Sequence, residues 1–157
     1  MTGDGISVTI EPASLPQARE LAGQLEERGA ENVRTTGGGQ GILFVPVIVG
    51  AVIGVVALAD LIERWRRNHM CREIIEVRKD GSVVNRKDCE FRDGRIIAIS
   101  PEGMQVEVHD VPDGVDVTKV VESALKSGTD AVKAAAEAIG AKVTGPAPAS
   151  AEDHAKP

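Results

Sequence analysis

Residues Ile42–Ile62 read ILFVPVIVGAVIGVVALADLI, and the run ends in Glu63, Arg64, Trp65, Arg66 and Arg67. No charge precedes Asp60. As one helix the run would be about 31 Å long at ~1.5 Å per residue, close to the hydrocarbon thickness of a bilayer. Twelve of the residues from Ile42 to Leu58 are Val, Ile, Leu or Phe. At ~0.3–0.6 kcal/mol each they favour insertion by roughly 4–7 kcal/mol, less the cost of Pro46, Gly50 and Gly54. Trp65 with Arg64, Arg66 and Arg67 reads as an interfacial anchor with snorkelling cations. Gly50 and Gly54 form a GxxxG step, a face on which two helices approach closely in lipid. The same residues admit a second reading. A helix apolar all round is also the buried helix of a soluble domain, and Val/Ile-rich runs are also buried strands. Pro46 and the two glycines are places where the run would break in two.

Composition narrows the function classes. The chain has 157 residues and a formal charge of −6, so a nucleic-acid footprint over the whole protein is not expected. The basic cluster Arg64–Arg72 suits lipid head groups at least as well. Phe44, Trp65 and Phe91 are the only aromatics, too few for base stacking. Two cysteines, Cys71 and Cys89, are too few for a disulfide scaffold. A two-residue turn at Asp80-Gly81 would pair Cys71 with Glu90, one residue out of register, so both thiols are expected reduced. From the polar, acidic start and Thr2, no secretory or myristoylation signal is expected.

Taken in order, Ile6, Val8 and Ile10 alternate with polar residues in a half-buried strand. Ser14 and Gln17 form a capping box for a helix with Pro16 in its first turn and Gly29 at its end. Asn32–Thr36 is a short strand, completing a β-α-β unit over 5–36. Residues 37–41 (GGGQG) are a flexible joint. A GxGxxG phosphate loop would need glycine at Ile42, and no cofactor is implied. The hydrophobic helix with its basic flank then occupies 42–67. Over 71–140 an antiparallel meander is expected, with turns at Asp80-Gly81, Asp93-Gly94 and Pro101-Gly103, followed by one helix over Val117–Ile139. Met104, Val106 and Val108 mark the cleanest strand. Residues 141–157 are expected to be a disordered tail, with no core former from Thr144 onward. The fold class is therefore α+β. A β-α-β unit of about 40 residues buries too little to stand alone across a bilayer from the meander, which favours one composite domain sharing a sheet.

No constellation of catalytic or metal-binding residues emerges. His69, Cys71 and Cys89 match no zinc spacing and lack a fourth ligand. Asp88, Glu90, Asp93 and Glu76 fit the solvent faces of hairpins. His109 beside Glu107 has no nucleophile motif with it. The residues singled out for membrane contact or helix packing are Gly50, Gly54, Trp65, Arg64, Arg66 and Arg67.

The order of parts resembles the effector-associated constant component family of actinobacterial conflict systems. The residues that carry it are ISVTIE, LPQARELAGQLEERG, the apolar run with ERWRR, and EVRKDGSVV, about residues 6–86. The resemblance implies a non-enzymatic accessory or adaptor protein, partnered by an effector encoded nearby or by itself. A lipid bilayer is a further expected partner, on the cytoplasmic face, with a soluble cytoplasmic protein as the alternative. The chain beyond Arg86 departs from the short form of that family. The rival reading is a small membrane-active or self-assembling protein that uses the apolar helix.

Overall fold

The computed structural model describes residues 5–12, 15–37, 46–90, 93–112, 114–126 and 128–148. The apolar run is not one helix. Pro46–Gly54 is a strand and Val55–His69 a helix, so the run breaks at Gly54. The physical reason lies in the periodicity of what is buried. Ile48, Ala51 and Ile53 face the core from the strand, and Leu58, Leu61, Ile62 and Trp65 recur at helical spacing from the helix. Val49 and Val56 remain exposed. A helix of 15 residues spans about 22 Å at ~1.5 Å per residue, short of a bilayer. No helix among the described residues is long and apolar enough to cross a membrane. Ile42–Val45, most of the glycine joint and the Ser14 cap lie outside the described residues.

In chain order the elements are β1 (Gly5–Glu11), α1 (Leu15–Glu27), β2 (Thr35–Gly37), β3 (Pro46–Gly54), α2 (Val55–His69), β4 (Arg72–Val77) and β5 (Val83–Asp88). Then follow β6 (Ile96–Ile99), β7 (Met104–His109), α3 (Thr118–Lys126), α4 (Thr129–Ala138) and β8 (Lys142–Pro148). All eight strands form one mixed sheet, ordered β2-β3-β1-β5-β4-β6-β7-β8. The N-terminal unit and the later hairpins thus share a sheet, joined where β1 runs parallel to β5. Mixed α and β is the observed class, but the later strands are no simple meander, because β6 lies parallel to β4. The helices pack on one face, where Val8, Ile10, Ile75, Val83, Ile96, Ala98, Val106 and Val108 meet Leu21, Leu25, Leu58, Trp65, Val121 and Val132. The expected single C-terminal helix is two, broken at Gly128 with φ 95°. The expected disordered stretch from 141 contains β8, whose hydrogen-bonded neighbour is β7. Residues after 148 lie outside the described residues.

Two glycines explain departures from the expected pattern. Gly50 has φ 68° and sits in a bulge, where the pairing of β1 with β3 shifts between Val8 and Ile10. It serves the backbone of a strand, not a helix–helix contact. Gly54 is the last residue of β3 and the N-cap of α2, with open space where a Cβ would go. Gly50→Leu is therefore expected to cost about 1–2 kcal/mol through left-handed strain, and Gly54→Leu less than about 1 kcal/mol. Urea melts of the two single variants check this. Equal and negligible effects would contradict the bulge.

The β4–β5 hairpin corrects the cysteine reading. Arg78 N–H donates to Ser82 O at 2.8 Å and Gly81 N–H to Arg78 O at 2.9 Å, a three-residue loop with Gly81 at φ 88°. The extra loop residue shifts the register by one, so Arg72 pairs with Asp88. Cys71 then falls beside Cys89, and the two are disulfide-bonded. Closing a loop of 18 residues stabilises by about 3 kcal/mol on a chain-entropy estimate. Cys71→Ser with Cys89→Ser should lower the unfolding free energy by about that amount in denaturant melts. A reductant should do the same to wild type and nothing to the variant.

Candidate functional site

The helix-facing side of β4 and β5 carries charge where a hydrophobic core is the rule. The register puts Glu73 opposite Lys87 and Ile75 opposite Asn85. The side chains of Glu73 and Lys87 are fully buried, with Lys87 Nζ 2.9 Å from Glu73 Oε1. Asn85 Nδ2 also donates to Glu73 Oε1 at 3.0 Å and to Ile74 O at 3.2 Å. Desolvation by burial pushes the Glu73 carboxyl up, against the pull of Lys87. It pushes the Lys87 ammonium down, against the pull of Glu73. Glu73 Oε2 and Asn85 Oδ1 are buried without a hydrogen-bond partner among the described residues.

Above this pair lies Trp65, 1% exposed, with Lys87 Nζ 5.7 Å from the ring centroid. His69, one turn on, lies 4.0 Å from Trp65 between ring centroids. Trp65 is thus a core residue and not an interfacial anchor. The neighbouring arginines divide by helix face. Arg64 is exposed and pairs with Asp60 at 3.2 Å, which also holds Arg28 at 3.0 Å. Arg67 is exposed and lies 3.2 Å from Glu63 Oε2. Arg66 is buried, its nearest carboxylate oxygen Glu63 Oε1 at 3.7 Å. Glu63 is itself buried, and its Oε2 accepts from Val117 N–H at 3.3 Å. The cations read as snorkelling groups are tied to acids of the protein. Gly50 lies in β3 and Gly54 caps α2, with Trp65 and the arginines in its later turns, so the six residues singled out for membrane contact do not lie on one helix.

The end of α2 opens a cleft of about 290 Å³ lined by Arg66, Arg67, Met70, Gly94, Val111 and Pro112, with Asp93 and Asp110 also on it. The sequence builds it from left-handed residues. Met70 caps α2 at φ 55°, its N–H donating to Arg66 O at 2.6 Å. Gly94 has φ 65° and Asp110 φ 55°. The segment between β5 and β6 crosses the start of β4 here, with Gly94 N–H donating to Met70 O at 3.2 Å. Arg66 Nη1 donates to Gly94 O at 3.3 Å. A Cβ on Gly94 would lie 3.1 Å from Arg66 Nη1 and 3.3 Å from Met70 Cε, so glycine keeps the space open.

The other acids are engaged locally. Asp88 accepts from Glu90 N–H, and Asp93 accepts from Arg72 at 2.7 Å. Burial works to raise the Asp93 carboxyl, but the hydrogen bonds from Arg72 and from Arg95 N–H hold it below the usual range. His109 lies 3.1 Å from Thr144 Oγ1. The disulfide takes both thiols of His69, Cys71 and Cys89, and no group of three potential metal ligands gathers among the described residues. Sequence reading missed Glu63, Glu73, Asn85 and Lys87. Their one signal is parity: Glu73 and Lys87 share strand faces with Ile75 and Val83, but the opposite faces hold Ile74 and Val84. No protein-family model, no curated protein and no solved structure matches the chain.

Proposed function

We propose that the protein is a non-enzymatic accessory component that holds a protein partner, the effector encoded beside it, as the resemblance of residues 6–86 implies. The observation that supports this reading is the face of the sheet opposite the helices. No described helix covers it. Ile74 pairs with Ile97 across β4 and β6, and both are partly exposed. Around them Arg86 bridges Glu11 and Glu76, each at 3.3 Å, and Arg95 pairs with Glu107. An apolar centre ringed by compensated charges is the anatomy of a protein interface. Membrane association takes a peripheral form in this reading, through Val56 and Val49, which are 63% and 45% exposed.

The test is co-expression of the full chain with its neighbour-encoded effector, followed by pull-down. Wild type should retain the effector. Ile74→Arg with Ile97→Arg should lose it at an unchanged melting temperature. Wild type that purifies free of the effector, or a variant that still holds it, contradicts the proposal.

A further inference from the structure

We propose that the cleft at the end of α2 binds a small organic monocarboxylate, its carboxylate on Arg66 and Arg67 and its apolar part against Met70, Val111 and Pro112. Arg66 carries the argument. It is 6% exposed, yet among the described residues its polar contacts are one carbonyl at 3.3 Å and one carboxylate oxygen at 3.7 Å, and its Nε has no hydrogen-bond partner. A guanidinium offers five donors, and a buried one with its Nε–H idle and its Nη2 only distantly paired is costly. Glu63 does not fill the need. Its Oε2 is taken by Arg67 and by Val117 N–H, and Oε1 has no hydrogen bond. A ligand carboxylate in the cleft adds acceptors to the Arg66 and Arg67 guanidinium groups that line it, in fork geometry.

The surroundings set the ligand class. Asp93 and Asp110 stand on the cleft and Asp116 acts on both arginines, with Arg72 and Lys142 paired to Asp93 and Asp110. So many carboxylates oppose a dianion such as phosphate and tolerate a single charge. Met70 is 42% exposed beside Val111, Pro112 and Val115, an apolar wall that rewards a hydrocarbon substituent. The volume holds a molecule the size of benzoate. Two non-glycine residues held left-handed, Met70 and Asp110, fix the rim in place.

Titration calorimetry on the full chain tests this with benzoate, its uncharged counterpart benzamide, and inorganic phosphate. Benzoate should bind, and benzamide and phosphate should bind at least about tenfold more weakly. Arg66→Lys keeps the charge but loses the fork, and should weaken benzoate about tenfold or more. Arg67→Gln changes an exposed side chain, so it keeps the test decisive if Arg66→Lys fails to fold, and it should also weaken benzoate. No benzoate heat, equal binding of benzamide or phosphate, or unaltered affinity in Arg67→Gln would overturn the proposal.

Discussion

Lys87→Met is expected to destabilise the protein by about 3–5 kcal/mol, the usual consequence of removing one partner from a buried ion pair. The side chains match closely in volume, so packing against Trp65 changes little. What remains is Glu73, fully buried, still bonded to Asn85 but stripped of its counter-ion. Restoring neutrality takes a proton. Burial already holds the folded carboxyl above its ordinary value of 4.5, so folding takes up a proton on it in the window above that value. Stability from this group is therefore fully present below pH 4.5 and is lost as pH rises through the folded value. The Lys87→Met deficit should accordingly be smallest in acid and grow toward neutral pH. The second half of the cycle is Glu73→Leu with Lys87→Met. Replacing the whole pair by apolar groups should recover most of the loss, and can exceed wild type by ~1–4 kcal/mol. Urea melts of the four proteins measure the coupling. Additive losses in the double variant would mean that the two charges do not compensate each other.

Trp65→Ala is the second large effect, about 3–5 kcal/mol for deleting a buried indole. The side chain is 1% exposed and fills the space between α2 and the Glu73–Lys87 pair. Its removal also takes the aromatic face from Lys87, worth ~2 kcal/mol when desolvated. Arg64→Ala, one residue away on the solvent side, should change stability by no more than about 1 kcal/mol. An interfacial anchor makes the opposite forecast: both variants would keep their melting temperature and lose affinity for vesicles. Thermal melts beside vesicle flotation therefore separate the two accounts on neighbouring residues.

Much of the fold is legible in local signals. Gly29 ends α1, with Ala30 N–H donating to Leu25 O and Gly29 N–H to Glu26 O. The alternation of Met104, Val106 and Val108 marks β7 with its observed bounds. The central run is illegible for a definite reason. Val47, Val49 and Val52 are as apolar as Ile48, Ala51 and Ile53, so no alternation announces a strand, and a bulge at Gly50 shifts the phase again. The disulfide was hidden by one loop residue, because Asp80-Gly81 serves two turn lengths that differ by one step in register. The buried charges were hidden by the same step in register, because a two-residue turn would set Glu73 opposite Asp88 and not Lys87. The cleft at Arg66 depends on three left-handed residues, of which Met70 is not a type that signals such a backbone.

The central claim is that the apolar run is a strand in the sheet followed by an amphipathic helix. Backbone NMR of residues 46–69 in the full chain tests it most directly. Extended carbon shifts should hold through Gly54 and turn helical from Val55, with a cross-strand proton contact between Ser7 and Val52. Helical shifts running unbroken through Gly50 and Gly54, with no contact to β1, would contradict it.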